Sequence, residues 1–252
     1  MIRSMFTAAT GMISQQMAID TIANNLANVN TAAFKKFRAL HEGTIDPLQE
    51  PEGGRFGVAR TTVDLLLDPA SVQPTGNPLH FAIEDASFLR VREPGGSIVF
   101  TRFGALDADV DGTIVAFGGR PVVDASTGEA IVLPGGWTSP AVDAFGNISA
   151  LNPEGQRDAV GQVSLASFAN PPGLEVLGDG LYRDTANSGE LTVGTAGSEG
   201  FAALRPGALE SSNVDVAQEF TAMIIAQRAY SACAKTFAVG DEMLAIATKL
   251  TQ

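Results

Sequence analysis

The sequence predicts an α+β protein: long N- and C-terminal helices pairing as a coiled-coil-like layer, with a β-rich middle domain of the antiparallel sandwich or irregular-barrel kind. Three observations predict it. Near the N-terminus, apolar residues recur at Ile2, Met5, Ala9, Met12, Ile19, Ile22, Leu26 and Val29. Near the C-terminus they recur at Val216, Phe220, Met223, Tyr230, Ala234, Phe237 and Leu244. Both series run largely in threes and fours or their sums, which is the seam of a helix that packs on other helices. The long stretch between them is rich in Gly, Pro and short β-type runs, the pattern of many strands and turns.

The first helix is expected over residues 4–29, with Ser4 as its cap; Thr10 and Gly11 weaken it locally, or Gly11 instead allows close approach by another helix. Asn24, Asn25, Asn28 and Asn30 cluster near its end, where short amides compete with the helical backbone. Residues 39–60, with Pro47, Pro51, Gly53 and Gly54, read as a connector. From 61 to 206 the pattern is strands. Thr61–Leu67 reads as one, followed by a loop over Pro69–Pro78. Phe81–Ile83 and Phe88–Val91 are expected to pair. Ile98–Arg102, Ile114–Phe117, Val122-Val123, Ile131–Leu133, Ile148–Leu151 and Gln162–Phe168 continue the series. Asp111-Gly112 between apolar runs is a hairpin-turn signal. The second long helix is expected over 213–250, with Ser212 and Asp215 as a capping box and Gly240 as a possible bend. The domain plan is therefore 1–38 with 207–252 as a terminal helical assembly domain, 39–60 as connector, and 61–206 as the β-rich outer domain. A continuous apolar seam cannot stand alone in water, so each helix needs the other, the middle domain or another subunit.

Composition narrows the function. The chain has 252 residues and a net charge of −12, and 45% of it is hydrophobic, enough for a real core. Residues 1–40 carry Arg3, Lys35, Lys36 and Arg38 against Asp20 alone, whereas the middle is strongly acidic. An acidic middle cannot neutralise a row of phosphates, which argues against nucleic acid. No stretch approaches the ~20 apolar residues of a membrane span, and the N-terminal apolar run is broken too often for a secretory signal. Cys233 is the single cysteine; it reads as a small buried thiol and forbids an intramolecular disulfide.

Several motifs imitate chemistry. Asp107, Asp109, Asp111 and Gly112 begin like an EF-hand loop, but Gly118 stands where the bidentate Glu belongs, so the segment reads as an acidic hairpin turn. Gly178-Asp179-Gly180 lacks the third glycine of a dinucleotide fingerprint. His41 and His80 have no second histidine at metal-ligand spacing. No carboxylate pair is singled out by spacing. Catalytic residues, cofactor and metal are accordingly all expected to be none, and the chain is read as no enzyme.

The two ends carry a resemblance. Met1-Ile2-Arg3-Ser4-Met5-Phe6 through Met12, and Asn24-Asn25-Leu26-Ala27-Asn28 with Thr31 and Phe34-Lys35, resemble the N-terminal signature of flagellar rod and hook proteins. Ser212-Asn213-Val214 with Gln227-Arg228-Ala229-Tyr230 resembles the matching C-terminal signature. Gly76-Asn77-Pro78-Leu79, Thr101-Arg102-Phe103-Gly104 and Gly173-Leu174-Glu175 also look like rod-protein segments. The chain departs from the pattern at Ala33, where the family usually has Gly, at a position where left-handed backbone would be easy for Gly and costly for Ala. It also departs in Leu40-His41-Glu42-Gly43-Thr44, in Glu84-Asp85-Ala86-Ser87 and at Leu89.

The resemblance implies a structural subunit of the bacterial flagellar basal-body rod, closest to the distal rod, with the proximal rod as alternative. A periplasmic or extracellular binding module is a more distant one. It implies helical self-assembly, other rod and hook proteins as partners, the flagellar type III export apparatus, surrounding ring proteins, and a place in the basal body spanning the periplasm. Direct membrane insertion is not expected. Met12, Ile19, Ile22, Leu26, Phe220, Met223, Tyr230 and Phe237 are the expected assembly interface. Gln16 and Gln227 interrupt the two seams and are expected either to help set alignment or to face solvent or the export channel.

Overall fold

The computed structural model describes residues 2–45 and 56–250. Its helices are α1 (Ile2–Ala27) and α2 (Val216–Leu250). The chain divides into two compact units, one comprising Met1–Val29, Lys36–Leu66 and Val214–Gln252, the other Asn30–Lys35 and Leu67–Asn213.

In the helical unit, α1 and α2 pack on each other. The cap of α2 differs from expectation: the helix starts at Val216, and Asp215 is the capping residue, its Oδ1 accepting from the N–H groups of Ala217 at 2.8 Å and Gln218 at 3.2 Å. A carboxylate there satisfies two orphan donors and meets the positive end of the helix. Ser4 is the third residue of α1 rather than its cap. Gly240 does not end or divide α2, which runs on to Leu250.

The expected connector is also corrected. Phe37–Ile45 (β1) and Phe56–Leu65 (β2) form an antiparallel pair, Phe37 opposite Leu65 and Ile45 opposite Phe56, with a register shift at Glu42/Gly43. The pattern was hidden because β1 holds the polar residues Arg38, His41 and Glu42: Arg38 meets Asp64 across the strand pair at 3.1 Å. His41 Nδ1 lies 3.0 Å from Ser14 Oγ and 3.3 Å from Thr61 Oγ1. The proline- and glycine-bearing centre of the expected connector, residues 46–55, lies outside the described residues.

The β unit is built on a six-stranded antiparallel sheet in the order Glu175–Gly178, Leu181–Arg183, Ile98–Thr101, Phe88–Arg92, Leu165–Phe168, Leu191–Gly194. A three-stranded meander over Thr138–Val142, Asn147–Leu151 and Arg157–Gln162, and smaller two- and three-stranded pairings, complete it. One core cluster includes Phe81, Leu89, Val91, Leu106, Ile114, Ile148, Val163 and Leu165. Phe88 sits edge-on to Phe168 and Tyr182 at 5.8 and 5.3 Å, geometry that favours aromatic pairs. Burial pushes the Tyr182 hydroxyl up to about 12. Asp111-Gly112 does turn a hairpin, between Asp107–Ala108 and Ile114–Ala116.

Phe81–Ile83 and Phe88–Val91 do not pair with each other. Phe81–Ala82 pairs with Arg205–Pro206, and Phe88–Arg92 pairs with Ile98–Thr101 and Leu165–Phe168. The intervening turn is pinned by Asp85, which accepts from Ser87 N–H at 3.1 Å and from Ala202 N–H at 2.9 Å. Phe81 instead backs onto Gly104, whose missing side chain makes room: a Cβ there would lie 2.0 Å from the Phe81 carbonyl oxygen. The expected loop Pro69–Pro78 contains a short strand, Val72–Pro74, paired with Ala208–Glu210.

Segment 30–35 joins the β unit through hydrogen bonds and charge. Ala33 N–H donates to the Glu210 carbonyl at 2.8 Å, and Asn213 N–H to the Phe34 carbonyl at 3.3 Å. Glu210 sits between two buried cations, Lys35 at 2.6 Å and Arg102 at 3.1 Å. Lys35 also donates to the Asp68 carbonyl, and Arg102 to the carbonyls of Ser87 and Ile83. Burial lowers the Lys35 pKa below its ordinary 10.5, Arg102 adds to that, and Glu210 opposes it. A lysine held lower in the folded state binds its proton less tightly there. Its charge therefore opposes folding at neutral pH, with relief as pH rises through the folded value. Glu210 is the one carboxylate bonded to both cations, so Glu210→Gln is expected to cost about 3–5 kcal/mol, the scale for breaking a buried ion network. The check is the urea-unfolding midpoint at pH 7.

Ala33 adopts φ 56°, the left-handed backbone that the departure from glycine at this position implied. Such backbone costs an L-residue roughly 1–2 kcal/mol, partly recovered because alanine restricts the unfolded chain more than glycine does. Ala33→Gly is expected to raise stability by about 0.5–1 kcal/mol, seen as a higher thermal midpoint.

Candidate assembly surface

The contact between α1 and α2 is made by small side chains at seven-residue spacing. On α1 the row is Gly11, Ala18, Asn25, and on α2 it is Glu219, Ala226, Cys233, Gly240. A Cβ on Gly11 would lie 3.0 Å from Cys233 Sγ, and one on Gly240 would lie 2.6 Å from Met5 Cγ. These approaches fix the helices antiparallel, with Gly11 level with Cys233 and Asn25 level with Glu219. The same register sets Ala18 level with Ala226, both of them buried. Small residues let two helices close in, as the sequence suggests for Gly11.

The end of this seam is polar and specific. Asn25 is buried and works as a bridge: its Nδ2 donates to the Phe37 carbonyl at 2.8 Å and to Glu219 Oε2 at 3.2 Å, while its Oδ1 accepts from Phe37 N–H at 2.9 Å. One amide side chain thus pairs with both backbone groups of the first residue of β1 and reaches α2 as well. Asn28 Nδ2 donates to the carbonyl and side-chain oxygens of Asn24 within the last turn of α1. Asn213 Nδ2 reaches the Asp68 carbonyl in the β unit. The amide cluster is therefore wiring at a helix end rather than a ligand site. Glu219 joins it without belonging to either signature, and its buried place on the small-residue row is the signal that could have found it.

The large apolar residues lie elsewhere. Of the expected interface, Met12, Ile19, Ile22, Leu26 and Met223 are half-buried, whereas Phe220, Tyr230 and Phe237 are 49%, 37% and 37% exposed. Phe6, Ile13 and Met17 on α1 and Val216, Ile224, Ile225, Val239, Met243 and Ile246 on α2 are exposed too. Arg228 and Gln227 lie on the exposed surface, Ala229 is half-buried, and Val214 is buried. The exposed residues of α2 do not form one stripe. At about 100° per residue, Phe220, Ile225 and Phe237 point in different directions. A helix apolar on every side is stable only when surrounded, and α1 covers one side of α2.

Among the described residues no group of three or more His, Cys, Asp or Glu gathers as a metal site, and no helix is long and apolar enough to cross a membrane. What fold and surface define is a structural subunit whose terminal helices leave large apolar faces open.

Comparison with known proteins gives the family. Residues 5–35 match the flagella basal body rod protein family, 82–150 the flagellar hook protein FlgE/F/G D1 domain, and 205–250 the flagellar basal body rod FlgEFG protein C-terminal family. The chain is 35% identical to the flagellar basal-body rod protein FlgG of Borreliella burgdorferi, with 99% of each chain covered. It is 34% identical to FlgG of Bacillus subtilis, with 97% of each covered. It is also 42% identical to the flagellar hook protein FlgE of Borreliella burgdorferi, over 41% of this chain and 23% of that one. The chain belongs to the flagellar basal-body rod protein family.

Asn25→Asp removes both amide donations and sets a second carboxylate beside Glu219. It is expected to destabilise the helical unit by about 2–4 kcal/mol at pH 7. The loss should shrink as pH falls and the introduced carboxyl protonates. Hydrogen exchange of α1 and α2 against pH checks it.

Proposed function

We propose that this chain is a distal-rod subunit of the bacterial flagellar basal body, polymerising helically with copies of itself into the shaft that carries torque from motor to hook. Full-length similarity to FlgG proteins supports the rod assignment. The observation that carries the mechanism is the distribution of large apolar residues around α2. A dimer would cover one more side of the helix and leave the others wet. A tube of helices covers all of them. Head-to-tail contacts that do not close on themselves generate such a filament.

The role is mechanical. Stiffness comes from close axial packing, and no bond in a substrate is made or broken. Met12, Ile19, Ile22, Leu26, Phe220, Met223, Tyr230 and Phe237 remain the proposed interface. The half-buried members serve the edge of the intrachain pair and the exposed ones serve neighbours. Rod and hook proteins are proposed as axial partners, supported by the hook-type match over 82–150. The type III export apparatus and the surrounding rings are proposed as further partners.

Phe220 is half exposed and lies on α2 away from the row of small residues. Phe220→Asp is therefore expected to leave the monomer's circular dichroism and thermal midpoint within about 1 kcal/mol of wild type while abolishing polymer in sedimentation. Normal polymerisation by this variant would remove the interface assignment.

A further inference from the structure

The free face of α1 carries one acid, Asp20, and the free face of α2 carries two bases, Arg228 and Lys235, followed by an acid, Glu242. This inference rests on the rod reading and names the contact between neighbouring copies. On α1, Phe6, Ile13 and Asp20 follow one another at seven-residue steps, and all three are exposed. Gln16 Nε2 donates to Asp20 Oδ1 at 2.9 Å, which holds the carboxylate on that face. On α2, Arg228, Lys235 and Glu242 follow at seven-residue steps and are also exposed, with Val239, Met243 and Ile246 beside them. Seven residues advance a helix by about 10.5 Å and return to nearly the same side. Arg228 lies nine residues from Glu219, half a turn round the helix from the row that faces α1.

We propose that the outer face of α1 in one copy docks on the outer face of α2 in the next, antiparallel, with Asp20 against Arg228. Subunits that all point the same way along a filament present α1 and α2 of neighbours in the antiparallel sense already seen within one chain. Setting Asp20 opposite Arg228 places Ile13 on the aliphatic stem of Lys235, which long basic side chains lend to apolar neighbours. It sets Phe6 level with Glu242, with Val239, Met243 and Ile246 flanking it on α2. The whole of α1 then lies over residues 221–246. The other basic choice, Asp20 against Lys235, would slide α1 by about 10.5 Å and carry Phe6 opposite Lys249, at the end of α2. The two faces differ, so the contact is heterologous and repeats from copy to copy. Gln16 acquires a role here as the group that orients Asp20.

The test uses the full chain with Asp20→Arg, Arg228→Asp and the two combined. All changed positions are exposed, and circular dichroism should match wild type in each. Each single change places like charges opposite one another, and the critical concentration for polymerisation is expected to rise about tenfold or more. The double variant restores opposite charge and should return to within about threefold of wild type. Single variants that assemble like wild type, or a double variant no better than the worse single, overturn the pairing while leaving the rod reading intact. A wild-type chain that stays monomeric at every concentration overturns both.

Discussion

The close approach of α1 and α2 is the constraint on which the helical unit depends. Two helices can approach this closely only where side chains are small, and this chain places Gly11, Ala18, Ala226, Cys233 and Gly240 along that line. The consequence is an inversion of the usual amphipathic arrangement. The intrachain contact uses small residues and the solvent-facing sides keep the large ones. Burying a Phe or Ile side chain is worth roughly 1.5–3 kcal/mol, and much of that gain remains unclaimed while the chain is alone. A helix pair so built holds a register and leaves apolar faces open for the neighbours proposed above.

The register has its own lock. Packing of small residues alone would tolerate sliding, because one small side chain resembles the next. Asn25 removes that freedom: its amide meets both backbone groups of Phe37 and the carboxylate of Glu219. A buried polar group specifies alignment because any shifted arrangement leaves its donors and acceptors unpaired. The β unit has a comparable device. Glu210 holds Lys35 and Arg102 together, and those three residues come from segments far apart in sequence. Misplacing any one of them would strand a buried charge.

Much of this was legible in the sequence. The two helices announced themselves by spacing, the hairpin at Asp111-Gly112 by its turn residues, and the left-handed backbone at Ala33 by the glycine it replaces. The faces of the helices were less legible. Apolar periodicity draws the eye to large side chains such as Phe220, Tyr230 and Phe237, whereas the contact within the chain is made by Ala, Cys and Gly, which carry little hydrophobic weight. The row Glu219, Ala226, Cys233, Gly240 was present as a seven-residue repeat of mostly small residues, a signal read only when close packing is sought as well as burial. Strand β1 and the first half of β2 were missed for a different reason, although Thr61–Leu67 reads as a strand and covers the second half of β2. Polar residues such as Arg38 and Asp64 pair across the strand surface, so the alternation that marks a half-buried strand is weak. The pairing of Phe81–Ala82 with Arg205–Pro206 joins segments more than a hundred residues apart, and local pattern carries no information about such partners.

The charged groups of the described residues fall into two sets. Here the most deeply buried ionic groups, Lys35, Arg102 and Glu210, are bonded to one another and to backbone carbonyls. They are tied into the β unit's own framework. The exposed charges of the helices, Asp20, Arg228 and Lys235 among them, lie on helix faces beside exposed apolar side chains. In the proposed filament they would select which apolar face meets which, since like charges brought together at a desolvated contact cost more than a mismatched methyl group. Apolar area would supply the cohesion of that filament, and the charges its order.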